Sequence, residues 1–262
     1  MNIWLYGLKM RKVKITSNVL KYLFPPRCAI CDRVIEIDEV GICKQCRGSL
    51  SYLKEPCCLR CGKEISSPTD EYCYDCGHKE RTYIKGYPVF NYVPPVRESL
   101  MAFKYQGRRE YADFFAAEIY KKHGDEFRKL GIEALVPVPI FRKKLSTRGY
   151  NQAEVLAREL GRLMKLPVIT DIVVRTEDTP PQKELSDEQR ETNMKSAFSA
   201  GIKYKDNISN KTSGDRHDVP GTVLLVDDIY TTGATIESCT RVCKSVGIKN
   251  IYYAAVAVGK GI

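Results

Sequence analysis

No run in this 262-residue chain approaches the roughly 20 uninterrupted apolar residues that cross a bilayer as a helix. The first stretch, MNIWLYGLKMRKVK, places its apolar residues ahead of its basic ones, the reverse of a secretory signal, and no small-residue cleavage site follows. Histidine is scarce. His78, His123 and His217 are scattered along the chain, and no His-based catalytic dyad is visible. The GxxxxGK(S/T) loop of P-loop nucleotide enzymes is absent, and so is a GxGxxG dinucleotide loop after a strand. These absences set aside a transmembrane helix and two common nucleotide-binding designs, and they lead to the expectation of a soluble, cytoplasmic protein. Met10 stands just before RKVKITSNVLKYLFPP, which leaves residues 1–9 open as a dispensable extension or a misassigned start.

What is present begins with charge. The 42 Lys and Arg outnumber the 32 Asp and Glu to give +10, a balance that favours nucleic acid, phosphorylated small molecules or a membrane surface as partners. Nine of the 11 cysteines lie between Cys28 and Cys76, and eight of them form four CxxC pairs. Cys28-x2-Cys31-x11-Cys43-x2-Cys46 recurs, with unchanged spacing, as Cys58-x2-Cys61-x11-Cys73-x2-Cys76. A CxxC knuckle lets two thiolates converge on one ion, and two knuckles close a tetrahedral four-cysteine site. Two structural Zn2+ ions are expected, with an iron-sulfur cluster as the rival for the same ligands. Disulfides are disfavoured because nothing points to an oxidising compartment. Four protein thiolates leave no open coordination position, so these metals are expected to supply folding energy and not catalysis. Cys57 is the odd thiol, since only Cys58 has the x2 spacing to Cys61. Cys239 and Cys243 share a helical face with Ile236 and Val246 and read as core.

SNVLKYLFPP predicts a short helix capped by Ser17 or Asn18. After Cys76 the pattern predicts a strand in IKGYPVFNYV and two helices broken at Gly107. Then IEALVPVPI, TDIVVRT, AFSA, TVLLVDD and NIYYAAVAVG read as strands, separated by helices in NQAEVLARELGRLMK and TTGATIESCTRVCKSVG. Strands alternating with crossover helices predict an α/β fold, a parallel sheet covered on both faces. Two polar segments interrupt it: a long loop at 175–193, and a disordered or exposed insertion at 203–220.

VLLVDDIYTTGAT, Val223 to Thr235, carries the chemistry. In an open α/β sheet, ligands collect at the carboxyl ends of strands, where loops enter helix N-termini. Thr231, Thr232, Gly233, Ala234 and Thr235 offer consecutive backbone N–H groups, a permissive glycine and three hydroxyls, a nest for a phosphate. Asp227 and Asp228 repel that phosphate, but they suit sugar hydroxyls or an Mg2+ reached through its waters. A phosphorylated sugar satisfies both halves.

The same stretch resembles the phosphoribosyl-pyrophosphate (PRPP) signature of type I phosphoribosyltransferases, and the whole layout resembles the ComF (ComFC) competence protein family. The likeness runs through LFPPRCAICD, the double zinc ribbon, AFKYQGRREYA, VPVPIFRKKLSTRGYNQAEVLARELG, RTEDTPPQKELSDEQRETNMKSAF and the terminal motif, nearly all of residues 18–258. It implies a type I phosphoribosyltransferase-like domain at 86–262, preceded by an extension and short helix at 1–26 and a double zinc ribbon at 27–80. It implies that Asp227 and Asp228 take the ribose hydroxyls, directly or through Mg2+, as the catalytic pair, and that Thr231 to Thr235 hold the 5-phosphate. Arg142, Lys143 and Arg148, in the loop after VPVP, would meet the diphosphate, and Gln182 and Arg190 would lie on a flap over the site.

The family likeness further implies a role in natural transformation, with single-stranded DNA and DNA-uptake or recombination proteins as partners. Two readings stand side by side. One is a Mg2+-dependent pentosyl transferase acting on an unidentified nitrogen nucleophile. The other is a non-enzymatic DNA-handling factor that keeps the site as a sensor, with Phe103, Tyr105 and Tyr111 among Lys104, Arg108 and Arg109 stacking on bases. The core is the competing assignment for those aromatics. A glutamine amidotransferase is set aside, because the N-terminal cysteines are committed to metal by their spacing. The segment Tyr92 to Tyr111 is where a hood reading the acceptor is expected.

Overall fold

The computed structural model describes residues 25–36, 41–176, 197–208 and 217–259. The capped helix expected from Ser17 or Asn18 lies outside them, ending before the two prolines Pro25 and Pro26, and Gln182 and Arg190 lie outside them as well.

The cysteine repeat folds the same way twice. After the first CxxC pair of each repeat the chain turns back through a left-handed residue, Asp32 in one and Gly62 in the other. A bridge then closes between Arg27 and Val34, and at the equivalent positions between Cys57 and Glu64. The second pair opens a short helix, α1 (Lys44–Arg47) or α2 (Tyr74–His78), with Cys43 or Cys73 as its N-cap.

Beyond the ribbons, β1 (Gly86–Asn91) leads to α3 (Val96–Tyr105) and α4 (Tyr111–Lys129), interrupted at Gly107, whose φ of 71° no helix accommodates. Next come β2 (Ala134–Pro137), α5 (Arg142–Arg148), α6 (Gln152–Met164), β3 (Val173–Arg175) and β4 (Phe198–Ala200). A helical turn at Ile202–Tyr204 runs into α7 (Lys205–Ile208), and β5 (Thr222–Tyr230), α8 (Ala234–Ser245) and β6 (Asn250–Val258) complete the order. β1, β6, β5 and β2 lie side by side in that order, all parallel.

Burial selects the layers. Phe103, Phe114, Phe115, Ile119, Leu156 and Leu160, from α3, α4 and α6, pack with Leu224 and Val226 on one face of the sheet. Cys239 and Cys243 of α8 pack with Val223 and Leu225 on the other, the helix face expected of them. Each such large apolar side chain contributes about 1.5–3 kcal/mol by leaving water. The ribbons divide between the faces: Ala29, Ile35 and Ile42 join the first cluster, and Cys58 and Cys61 the second. Between the ribbons, Ser51 to Leu53 run antiparallel to β1, with Leu53 N–H donating to Val89 O (3.0 Å) and Asn91 N–H to Ser51 O (2.9 Å).

The structure departs from the sequence reading in three places. β3 and β4 pair antiparallel with each other and do not extend the parallel sheet. The strip Pro167 to Ile169 already bonds the free side of β2, through Leu135 N–H to Pro167 O and Ile169 N–H to Leu135 O (both 2.9 Å), so that place is taken. Second, the presumed loop after VPVP contains α5, closed by Gly149 in the left-handed conformation. Third, the start of the presumed insertion 203–220 is built into the fold: Tyr204 is buried, and Asn207 Nδ2 donates to His217 O (2.9 Å) and Val246 O (3.0 Å).

Candidate functional site

β5 is buried along its apolar run and emerges at the carboxyl edge of the sheet with Asp227 and Asp228. Successive strand residues face opposite ways, so the two carboxylates have different neighbours. Asp228 turns toward α3, where Lys104 Nζ lies 2.7 Å from its Oδ2, with both side chains largely buried. Asp227 accepts a hydrogen bond through Oδ1 from the Asp228 backbone N–H (2.8 Å). Burial, and then the neighbouring Asp228 charge, push the Asp227 carboxyl well above its ordinary range, while Lys104 pulls the other way. Lys104 itself is raised: burial disfavours its charge, and the two aspartates outweigh that.

Past Tyr230 the chain turns through Thr231, Thr232 and Gly233 into α8, the start of which is partly buried. Gly233 has φ 81°, and a Cβ there would stand 2.3 Å from Tyr230 Oη. Only glycine fits. The turn thus aims the first N–H groups of a 12-residue helix at the same edge as the aspartates.

A cleft of about 320 Å³ opens there, lined by Asp227, Asp228, Thr231 and Thr235 together with Arg148, Lys104, Lys144, Arg175 and Tyr92. That volume falls at the lower end of the roughly 300–1,000 Å³ typical of small-molecule clefts. Of the sequence-assigned residues, Thr232, Gly233 and Ala234 shape the turn without lining the cleft, and Arg142 and Lys143 also fall outside its lining. The sequence reading places none of Lys104, Lys144, Arg175 and Tyr92 in this cleft; it takes Lys104 as a cation for DNA contact and Arg175 as the start of the 175–193 loop. Lys104 carried a signal: Val96, Leu100 and Lys104 recur every four residues, so a cation sits on the buried stripe of α3. Tyr92 and Lys104 also place the segment expected to form a hood beside the cleft.

Phe103 and Tyr111 are core residues. Tyr105 is 59% exposed, and the Arg148 guanidinium lies over its ring at 4.6 Å while donating to its hydroxyl at 2.9 Å.

The cysteines form two groups, Cys28, Cys31, Cys43, Cys46 and Cys58, Cys61, Cys73, Cys76, each with its sulfurs within 4.8 Å of one another. Sγ separations of 3.9 Å (Cys31 to Cys43) and 3.5 Å (Cys61 to Cys73) bracket the roughly 3.8 Å that a tetrahedral zinc with ~2.3 Å Zn–S bonds imposes. The donor set and its spacing fit structural zinc in both. Backbone N–H groups of Cys43 and Cys61 reach Cys28 Sγ (3.4 Å) and Cys58 Sγ (3.5 Å), the bonds a thiolate ligand accepts. Cys57 stands apart, its Sγ donating to Lys54 O (3.2 Å) and its thiol pushed up to about 11 by burial.

Comparison with known proteins agrees with this layout. Residues 19–77 match the double zinc ribbon domain. Competence protein F of Haemophilus influenzae is 28% identical over 86% of this chain and 93% of its own length. The DNA utilization protein YhgH of Escherichia coli is 25% identical over 81% of this chain and 88% of its own. Competence protein ComFC of Bacillus subtilis is 25% identical over 82% and 87% respectively. With those relatives matched along most of its length, and with both four-cysteine groups assembled, the chain is a homologue of the competence proteins F and ComFC, a mixed α/β protein headed by a double zinc ribbon.

Proposed function

We propose that this protein binds phosphoribosyl pyrophosphate with Mg2+ in the cleft at the end of β5, and transfers the phosphoribosyl group to a nitrogen nucleophile in the handling of incoming DNA. The observation that carries the reading is the placement of two adjacent carboxylates at the carboxyl end of a buried parallel strand, directly before a glycine turn that opens a helix. Acidic groups for the ribose diol and an N-terminal helix dipole for the phosphate then meet in one cleft. The role in DNA handling comes from relatives named for competence and DNA utilization.

In this reading Asp227 and Asp228 accept hydrogen bonds from the ribose 2- and 3-hydroxyls, and the turn at Thr231 to Thr235 holds the 5-phosphate. Lys144 and Arg148 face the diphosphate, balancing the charge that grows on it as the C1–O bond breaks. The nucleophile's lone pair forms the new C1–N bond, pyrophosphate leaves with the electrons of the old one, and the nitrogen gives up a proton to solvent. Mg2+, which a carboxylate pair suits, would screen the diphosphate when bound. Lys104 exchanges its contact with Asp228 for the incoming ligand.

The second reading, a single-stranded DNA-binding factor that senses PRPP, draws on Tyr105, exposed beneath Arg148. One experiment separates them: the protein is incubated with Mg2+ and PRPP, nucleobases, amines and single-stranded DNA are screened as acceptors, and pyrophosphate release is followed. Release with one acceptor establishes transfer. Binding without release supports the sensor, and no PRPP binding overturns both.

A further inference from the structure

The two ribbons differ in what they touch. The first packs on α3 and α4: Ser99 Oγ donates to Ala29 O, Arg108 pairs with Asp32, and Tyr111 Oη donates to Asp32 Oδ1 at 2.9 Å. The second runs straight to the turn before α8. Arg60, inside its first CxxC knuckle, donates through Nη1 to the carbonyl of Arg81 (2.8 Å). Arg81, only 9% exposed, donates in turn through Nη2 to the carbonyl of Thr232 (2.6 Å). Thr82 binds the buried Glu237 in the first turn of α8 twice, through N–H and Oγ1 (2.8 Å each). Tyr83 Oη meets Tyr230 Oη at 2.8 Å. Tyr230 stacks on Tyr253 with ring centroids 4.8 Å apart, and Tyr253 Oη donates to Cys61 O at 2.8 Å.

We infer that the second zinc ribbon is a positioning element for the Thr231 to Thr235 turn, acting through Arg81 and the Tyr83–Tyr230 contact. The turn's conformation rests on Gly233 fitting over Tyr230 Oη, so whatever fixes Tyr230 fixes the turn. Tyr230 is held from below by Tyr253, which bonds Cys61 O of the second cysteine group, and from the side by Tyr83, carried on the segment between that group and β1. Arg81 adds two things. Its bond to Thr232 O pins that peptide plane, which fixes where the Gly233 N–H points. Its cation, placed under the turn, biases the turn toward an anion. Arg81 Nε is buried without a hydrogen-bond partner among the described residues, so this guanidinium is held for its place more than for its own satisfaction. The consequence for ligand affinity rests on the PRPP reading; the consequence for the turn itself does not.

The test uses the full-length, zinc-loaded protein without ligand. Hydrogen exchange is measured on the amides that close the turn, from Glu237, whose N–H donates to Gly233 O at 2.9 Å, through Thr240, in the wild type, Arg81→Gln and Arg81→Lys, with zinc content and exchange across β6 as controls. Losing one charge-assisted hydrogen bond is expected to speed exchange at these amides about tenfold in Arg81→Gln, with two zincs retained and β6 unchanged. Arg81→Lys should recover part of the protection. Cys73→Ser should reproduce the effect and Cys43→Ser should not. Unchanged exchange in Arg81→Gln, or equal effects of the two cysteine variants, overturns the inference. PRPP titration follows: Arg81→Gln should bind about tenfold more weakly. A wild type that fails to bind PRPP sinks the proposed function and leaves the exchange result to decide this one.

Discussion

Lys104 Nζ lies 2.7 Å from Asp228 Oδ2, tying α3 to the end of β5 at a point where two carboxylates sit side by side. Removing the cation leaves a largely buried acidic pair without its counter-charge. Lys104→Met should therefore lower stability by about 3 kcal/mol, the cost typical of breaking a buried pair from one side. Millimolar Mg2+ should recover part of the loss by taking the cation's place. Thermal unfolding with and without Mg2+ reads both; an unchanged melting temperature would count against the pair's role.

Asp227→Asn combined with Asp228→Asn removes the negative charge while keeping shape. The double variant should stay folded and lose Mg2+-dependent PRPP binding in calorimetry. An affinity equal to wild type would remove these residues from the site.

Arg148 and Arg142 test the geometry of α5. Arg148 lines the cleft and Arg142 does not. Arg148→Ala should weaken PRPP binding by about tenfold, the scale of one charge-assisted contact, whereas Arg142→Ala should change it less than about twofold. Equal effects would mean that long-range charge, not contact, governs affinity.

The metal content follows from the two cysteine groups. Purified protein should carry two zincs per chain by elemental analysis, and a chelator strong enough to strip them should unfold the ribbons. A single zinc, or iron in its place, would require a different account of the repeat.

His123 sets a pH dependence away from the cleft. Its Nε2 bonds Pro88 O at 3.0 Å, and burial lowers its imidazole to about 4. An unfolded histidine titrates near 6.5, so between these values the unfolded chain binds a proton that the folded one refuses. Stability is complete above about pH 6.5 and falls as pH drops toward 4, by up to about 3 kcal/mol. His123→Gln should flatten that part of the profile in denaturant titrations at stepped pH; an identical slope would place the titration elsewhere.

Local pattern made much of this legible. The repeated cysteine spacing gave both metal groups by residue number, because a metal site built from two knuckles is a short-range feature. The apolar periods gave every strand of the parallel sheet and α3, α4, α6 and α8. Contacts between distant segments were not legible. Nothing in the order of residues says that the strip after α6 fills the place beside β2, so β3 was assigned to the wrong sheet. Nor does a run of cations reveal its facing until it is known to be helical. Once α5 exists, Lys144 and Arg148 are four apart and share a side, while Arg142 and Lys143 turn elsewhere.

The strips Ser51 to Leu53 and Pro167 to Ile169 have a consequence for how the protein can be handled. Each lies against an outer strand of the sheet, β1 or β2, whose unpaired backbone groups would otherwise template association with another copy. A truncation that starts after residue 80 deletes the first strip and bares the rim of β1. Such a fragment should self-associate through that rim, and its inactivity would then report on aggregation and not on any need for zinc.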